Sequence, residues 1–270
     1  MSGITFEEYI KNRFEGAVEI LDDSSSDMSV WTPVLSLAES SGAALAINKT
    51  LCPRFPVDYK DPDSVSFEIY HSIAGDIPVI SAGNPDDFEA LVTNIVHKGV
   101  RPDNISKTGA AFIFGDTIRF IILSSKPYSN VPAEELGLKE DDWALKSMLI
   151  RRSHECTHYF TKKTYGISNN LLHDELMADF MGLYDAFGFY RAEWFLRFLG
   201  IIEGGGSRLD VYTEGLTPQV LAQVTDIVTR ASYGLEKWSE SEEFKKLTAE
   251  ERIKEMCTAG ICGMAHWNEE

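Results

Sequence analysis

The segment His154-Glu155-Cys156-Thr157-His158 constrains the fold of this chain more than any other stretch. Residues four apart on an α-helix lie on the same face, so a helix here lets the imidazoles of His154 and His158 bind one metal ion. Glu155 falls at the edge of that face, where it can contact a water at the metal without being a ligand. Cys156 points to the opposite side, where a free cysteine packs as a small apolar residue. The sequence therefore predicts a helix with a metal site on one face.

A third ligand is expected from the segment His173-Asp174-Glu175-Leu176-Met177-Ala178-Asp179. A tetrahedral zinc with two histidines needs one more protein ligand if a water keeps the fourth position. Glu175 and Asp179 share a helix face, so Glu175 can bind the metal while Asp179 accepts a hydrogen bond from a ligating imidazole. His173 is an alternative ligand, although two residues before Glu175 it faces the other way. We expect a second helix that completes the site.

The two segments together resemble the gluzincin branch of the zincin metallopeptidases, in which HExxH is followed on the next helix by a glutamate ligand and an acidic residue four positions later. The resemblance covers residues 154–179, and the phrases IRRSHECTHYF and DELMADFMG are also similar to segments of uncharacterised bacterial proteins. It implies a zincin-like fold and the zinc-dependent hydrolysis of a bond in a peptide or protein substrate. It also implies roles for five residues: Zn²⁺ ligands His154, His158 and Glu175, general base Glu155, and Asp179 as the hydrogen-bond partner of His154.

One departure from that family concerns the residues before the first histidine. Zincins usually have uncharged residues there, whereas this chain has Arg151 and Arg152. Arg151 lies four residues before Glu155, so an ion pair between them would keep the carboxylate ionised and weaken it as a base. The alternative to an enzyme is therefore a non-catalytic protein whose metal braces the helices for a binding or regulatory role.

A di-iron carboxylate protein is a further alternative. The residues from Glu155 to His158 and those from Glu68 to His71 both read ExxH, which is the ligand motif of that class. The class requires a four-helix bundle, so residues 64–74, whose pattern fits a strand or a helix, would have to be helical.

Two residues after a glycine-rich loop are candidates for stabilising a transition state. Arg208 and Tyr212 lie four apart, and both can donate hydrogen bonds to the oxyanion that forms at a scissile carbonyl. The alternative is an exposed arginine and a packed tyrosine, as on most protein surfaces.

A β-hairpin is predicted at Ala110 to Phe114 and Thr117 to Leu123, around Gly115-Asp116. The resemblance to zincins makes Thr117 to Leu123 a candidate edge strand to which a peptide substrate adds. The alternative is an ordinary core strand.

The fold class predicted is α+β. We expect a single zincin-like domain over residues 1–270, with an N-terminal α/β subdomain (1–130) that holds the hairpin or a small sheet, and a mainly helical subdomain (131–270) that carries the metal site. Other predicted elements are helices at residues 4–20, from Thr32-Pro33 to about Ala46, from Asn84-Pro85 to Gly99, through Trp194 to Leu199, from Thr217-Pro218 through Val228, and from about Ser241 to Met256, and a strand at 77–80. The helix that carries His154 and His158 is predicted to begin at a cap formed by Asp141 or Asp142 and to end at Gly166. The helix that carries Glu175 is predicted to begin at a cap formed by Asn169 or Asn170 and to end at Gly188.

The composition argues against several partners. The chain has 42 acidic and 25 basic residues and a net charge of −17, which repels nucleic acid and anionic lipid surfaces. No apolar run approaches the roughly 20 residues of a membrane span, and the N-terminus does not read as a secretory signal, so we expect a cytoplasmic protein. The four cysteines fit neither a zinc ribbon nor a CxxC redox motif, which favours a reducing compartment. The sequence sets no oligomeric state.

Overall fold

The computed structural model describes residues 4–20, 28–115, 118–169, 171–202 and 208–267. Its α-helices are α1 (Phe6–Ile10), α2 (Thr32–Ser41), α3 (Ala43–Thr50), α4 (Pro85–Leu91), α5 (Glu140–Tyr165), α6 (Leu172–Phe187), α7 (Ala192–Leu199), α8 (Leu209–Tyr212), α9 (Pro218–Glu240) and α10 (Ala249–His266). Its strands are β1 (Val65–Ser72), β2 (Gly75–Ala82), β3 (Ala110–Phe114) and β4 (Arg119–Ser124). The protein is α+β, with a small mixed sheet and a mostly helical C-terminal part, which confirms the predicted class.

The chain divides into two compact units. One, the sheet unit, is Asp23–Tyr128, and the other, the helical unit, combines Met1–Asp22 with Ser129–Glu270. Residues 4–20 therefore group with the helices that follow the sheet unit.

The sheet unit is built on four strands in the order β1-β2-β4-β3. The outer pairs, β1 with β2 and β3 with β4, are antiparallel hairpins, and the inner pair β2 and β4 is parallel, with Val79 opposite Ile121. Every residue of β4 is buried, as expected for a strand with a neighbour on each side. Residues Ile121 to Leu123 of this segment pair with β2 on one side and β3 on the other, so they are not at a sheet edge. For these residues the core interpretation is confirmed.

The hairpin turn is only partly described, because Asp116 and Thr117 lie outside the described residues. The Gly115 N–H donates to the Ile118 carbonyl at 3.0 Å. Gly115 thus pairs with Ile118 and continues the ladder beyond Phe114.

The ambiguous segment 64–74 forms β1 and the turn after it. Residues three apart on a strand point to opposite faces of the sheet, so Glu68 and His71 cannot bind one ion in the way that the ExxH motif does on a helix. The di-iron interpretation, which needs a helix here, is wrong.

Three predicted helices differ from the observed ones, and in each case a local interaction explains why. The N-terminal helix ends at Ile10, because the Asn12 side chain accepts from the Phe14 N–H and donates to the Cys257 carbonyl. The helix predicted at 32–46 is divided into α2 and α3 by Gly42, whose φ of 87° is not helical. The last helix starts at Ala249, eight residues later than predicted, behind a capping box formed by Thr248 and Glu251.

The helical unit packs α5 against α6 and α9 against α10. A buried aromatic cluster on one side of α6 includes Phe180, Tyr190 and Phe244, with Phe180 and Phe244 edge to face at 5.8 Å. Between α5 and α6, Gly182 lies so close to Ile150 that an added Cβ would come within 2.7 Å of the Ile150 carbonyl oxygen. A glycine at this point is what lets the two helices approach.

None of the described helices combines the length and the apolarity that a bilayer-spanning segment needs.

Candidate metal centre

Helix α5 presents two histidines from one face. His154 and His158 are both buried, at 8% and 9% exposure, and their Nε2 atoms lie 3.1 Å apart. The helix begins at Glu140 without a side-chain cap, with three acidic residues in its first turn, and it ends at Gly166 in the left-handed conformation as predicted. The predicted aspartate cap is wrong, but the helical spacing of the two imidazoles is as expected.

Helix α6 brings a glutamate to the same point. It begins at Leu172 and ends at Gly188, again with a left-handed residue as predicted. Its N-cap is Leu171, not Asn169, while Asn170 lies outside the described residues. Glu175 is 5% exposed, and its two carboxylate oxygens face the histidines, with Oε2 at 3.6 Å from His154 Nε2 and Oε1 at 3.5 Å from His158 Nε2.

These three donors have the spacing of a metal site. Ligands at about 2.0–2.1 Å from a tetrahedral zinc lie about 3.3 Å from one another. The observed separations run from 3.1 to 3.6 Å, and one donor atom from each side chain lies within 4.8 Å of the others. The buried group of His154, His158 and Glu175 can hold a metal ion.

Asp179 lies one turn after Glu175 and is completely buried. Its Oδ1 is 2.7 Å from His154 Nδ1. An ionised carboxylate at this distance holds the proton on Nδ1, which leaves the lone pair of Nε2 free for a metal. The helical spacing that predicted this contact thus places Asp179 behind His154.

Arg208 and Tyr212 also reach the site, but they contact the carboxylates. Arg208 donates from Nη2 to Glu175 Oε2 at 2.7 Å and from Nη1 to Asp179 Oδ2 at 2.8 Å. The Tyr212 hydroxyl donates to Glu175 Oε2 at 2.7 Å. These contacts neutralise and orient the two acidic side chains; donation to an oxyanion stays a prediction.

Two supporting residues were not predicted from the sequence. The Ser129 hydroxyl accepts from Arg208 Nη1 at 3.1 Å, and the Tyr9 hydroxyl donates to the Tyr212 carbonyl at 2.9 Å. Both lie far along the chain from the residues that they contact, so no local sequence pattern signals them.

The buried charges shift one another's pKa values. Burial disfavours a charged His158, but the carboxylates of Glu175, Glu155 and Asp174 outweigh it and raise the His158 pKa to about 9. Burial also opposes ionisation of Glu175, yet the two histidines and Arg208 hold its pKa well below the usual range. The site therefore favours ionised carboxylates, the form that binds a cation.

Asp179 and Asp174, on either side of Glu175, respond differently to burial. Burial raises the pKa of both, but for Asp179 Arg208 and His154 reverse the effect and lower it. For Asp174 burial prevails and the pKa is raised to about 6. The carboxylate that contacts the cationic group is thus the one that stays ionised.

Glu155 is half-buried on the edge of the histidine face, near enough to His158 to raise the pKa of that imidazole. Arg151 is buried on the same helix, one turn before Glu155, and the ion pair considered from the sequence stays a prediction. Cys156 is buried on the opposite side of α5, which agrees with its predicted packing role.

His173 does not join the metal donors. Its Nε2 lies 3.2 Å from the Met256 carbonyl oxygen, and burial lowers its pKa to about 4. His173 is therefore a neutral core histidine bonded to α10, and Glu175 is the α6 residue that faces the α5 histidines.

The chain belongs to a family of unknown function, DUF7005, whose model matches residues 46–117 and 116–267. No curated protein and no solved structure matches the chain. The family thus covers both units without assigning an activity.

Proposed function

We propose that this member of the DUF7005 family is a zinc-dependent hydrolase that acts on peptide bonds. The observation that supports it most is the donor set itself. Within the described ranges it contains two histidines and one glutamate, whereas a structural zinc is usually closed by four cysteine or histidine ligands. A set of three leaves room in the coordination sphere for a water or a substrate, as catalytic sites require. The zincin-like fold belongs to the same proposal.

The residues that would hold zinc are His154, His158 and Glu175. A bound zinc supplies a Lewis acid that polarises a carbonyl and brings the pKa of water to about 7. Asp179 keeps His154 in the tautomer that offers Nε2, and Arg208 with Tyr212 keeps the Glu175 carboxylate turned toward the two imidazoles.

Glu155 is the proposed general base. Its carboxylate lies near His158 on the edge of the histidine face, where it can accept a proton from water and pass it to the leaving amine.

The second candidate is a metal-binding protein without catalysis. One contact favours it: Arg208 Nη2 and the Tyr212 hydroxyl both donate to Glu175 Oε2, the oxygen that faces His154. These two donors tie the Glu175 carboxylate of α6 to the segment around α8, so the contact adds to holding the helices together, which is the role of the metal in this candidate.

The variant Glu155→Gln separates these candidates. We expect wild-type protein, purified without chelator, to hold about one zinc per chain and to cleave members of a peptide library followed by mass spectrometry. Glu155→Gln should keep the zinc and lose at least about 100-fold in turnover, because general acid–base catalysis contributes on that order. Glu140→Gln, an exposed position on the same helix, is the matched control and should retain both.

Three other results would change the conclusion. A wild-type protein that takes up no zinc from a titration of the chelator-treated form would contradict both candidates. Zinc binding without cleavage of any library member would leave the non-catalytic candidate. Full turnover by Glu155→Gln would remove Glu155 as the base.

A further inference from the structure

The segment at the start of the C-terminal part of the helical unit has an unusual backbone. Ser129 and Asn130 are consecutive and both have positive φ, 52° and 58°. The left-handed conformation is disfavoured for residues with a Cβ, and serine adopts it less readily than asparagine. Among the described residues the only other non-glycine with positive φ is Lys98, at 51°. Two such residues in succession need support from what they contact.

The contact made there is with Arg208. The Ser129 hydroxyl accepts from Arg208 Nη1 at 3.1 Å, and the same nitrogen donates to Asp179 Oδ2 at 2.8 Å. The other terminal nitrogen donates to Glu175 Oε2 at 2.7 Å. The serine hydroxyl, a neutral acceptor, thus shares a guanidinium nitrogen with one of two ionised carboxylates.

Such a neutral acceptor contributes position rather than charge. Asp179 and Glu175 already neutralise the arginine, so the serine adds little to the charge balance. It is one of the groups that orient the guanidinium plane: Tyr212 accepts from the Nε and Nη2 edge, and Ser129 contacts Nη1 on the other side. That plane in turn determines which oxygens of the two carboxylates are free. Arg208 is otherwise one-fifth exposed, so an unsupported side chain could turn toward solvent.

We propose that Ser129 is a positioning residue, which holds Arg208 against Glu175 and Asp179, and that the left-handed backbone at residues 129 and 130 persists because it delivers the Ser129 hydroxyl to that arginine. Strained backbone retained at a working site is a recognised pattern, and the observed strain is the starting point of the inference. This proposal rests on the metal site of the proposed function.

Substitutions at residues 129 and 130 separate strain from position. Ser129→Ala keeps the strain and removes the hydroxyl, Ser129→Gly removes both, and Asn130→Gly removes strain while keeping the hydroxyl. Lys98→Gly relieves the same kind of strain in the sheet unit and serves as the control. Arg208 stays in all four variants, so the charge of the site is unchanged.

The measurements are the Zn²⁺ affinity, the absorption spectrum of the Co²⁺-loaded protein and the unfolding midpoint. We expect Ser129→Ala and Ser129→Gly to bind Zn²⁺ about tenfold more weakly, at the low end of the effect for groups around metal ligands, and to shift the Co²⁺ bands. Asn130→Gly and Lys98→Gly should keep wild-type affinity and spectrum. Ser129→Gly should therefore bind metal more weakly than wild type while its unfolding midpoint is unchanged. If the serine served only the fold, the unfolding midpoint would fall and the metal affinity would not.

A second measurement does not depend on metal. In the chelator-treated protein, Ser129→Ala and Arg208→Lys should have non-additive effects on the unfolding midpoint, because the two side chains are in contact. Additive effects would overturn the proposal whether or not the protein binds metal. Wild-type Zn²⁺ affinity in both Ser129 variants would overturn it while leaving the metal site intact. Failure of the wild-type protein to bind zinc would instead count against the proposed function.

Discussion

Replacing Asp179 by asparagine tests whether the charge behind His154 is needed for metal binding. The change nearly preserves the shape of a completely buried side chain. It removes the negative charge that lies 2.7 Å from His154 Nδ1 and 2.8 Å from Arg208 Nη1. Loss of such a partner of a ligating histidine typically weakens metal binding 10- to 100-fold, about 1.4 to 2.7 kcal/mol.

The same change should destabilise the metal-free protein by more than a typical surface substitution. The asparagine NH₂ group and the guanidinium are both donors, so one orientation of the amide leaves Arg208 with a buried, partly unpaired charge. Breaking a buried ion pair from one side costs about 3–5 kcal/mol. Arg208 keeps its contact with Glu175, so we expect a loss near the lower end of that range.

The assay is a Zn²⁺ titration of chelator-treated protein, with urea unfolding of the same samples. Asp185→Asn is the matched control, because Asp185 is exposed on the same helix and lies outside the site. The control should match wild type in both measurements. A Zn²⁺ affinity of Asp179→Asn within twofold of wild type would refute the role assigned to Asp179.

Three further predictions concern the two site helices. Gly182→Ala should destabilise the protein by about 1–3 kcal/mol in urea unfolding, because its Cβ would meet the Ile150 carbonyl at 2.7 Å; unchanged stability would mean that the helices can separate freely. The Zn²⁺ affinity should rise between pH 6.5 and about 9, because the pKa of His158 is raised to about 9 and a metal must displace that proton; a flat profile would contradict this. Burial lowers the pKa of His173 to about 4, so the unfolded protein takes up a proton between about pH 6.5 and 4 that the folded protein does not. The free energy of unfolding should therefore fall by about 3 kcal/mol as the pH is lowered across that window. His173→Gln, which can still donate to the Met256 carbonyl, should show a smaller fall, and an equal fall would contradict the neutral buried state of His173.

The grouping of side chains at the site follows from short-range periodicity. The spacing of His154 and His158, and of Glu175 and Asp179, is fixed by the helix repeat within each segment. Gly166 and Gly188 mark the helix ends, because a left-handed residue stops a helix. What the sequence could predict is therefore two helices with complementary faces.

The parts that were missed depend on contacts between distant residues. Ser129 reaches Arg208 across 79 positions of the chain, and Tyr9 reaches Tyr212 across 203. The order of the strands is also long-range, since the parallel pairing of β2 with β4 encloses a strand that was considered as an edge. The predicted starts of α5 and α6 are wrong, because the residue before each helix forms no side-chain hydrogen bond with the first turn.

The charges in contact with the metal donors argue for chemistry with an anion. Glu175 and Asp179 carry two negative charges and Arg208 carries one positive charge, which leaves −1 when the imidazoles are neutral. A divalent cation would bring these three side chains to +1, whereas without Arg208 it would bring the two carboxylates only to zero. Glu155, near His158, adds a further negative charge, so Arg208 is what keeps the group from becoming net negative with a metal bound. In the proposed hydrolase the oxygen of a carbonyl gains negative charge beside the metal, and Arg208 would favour that charge while lowering the attraction for the metal.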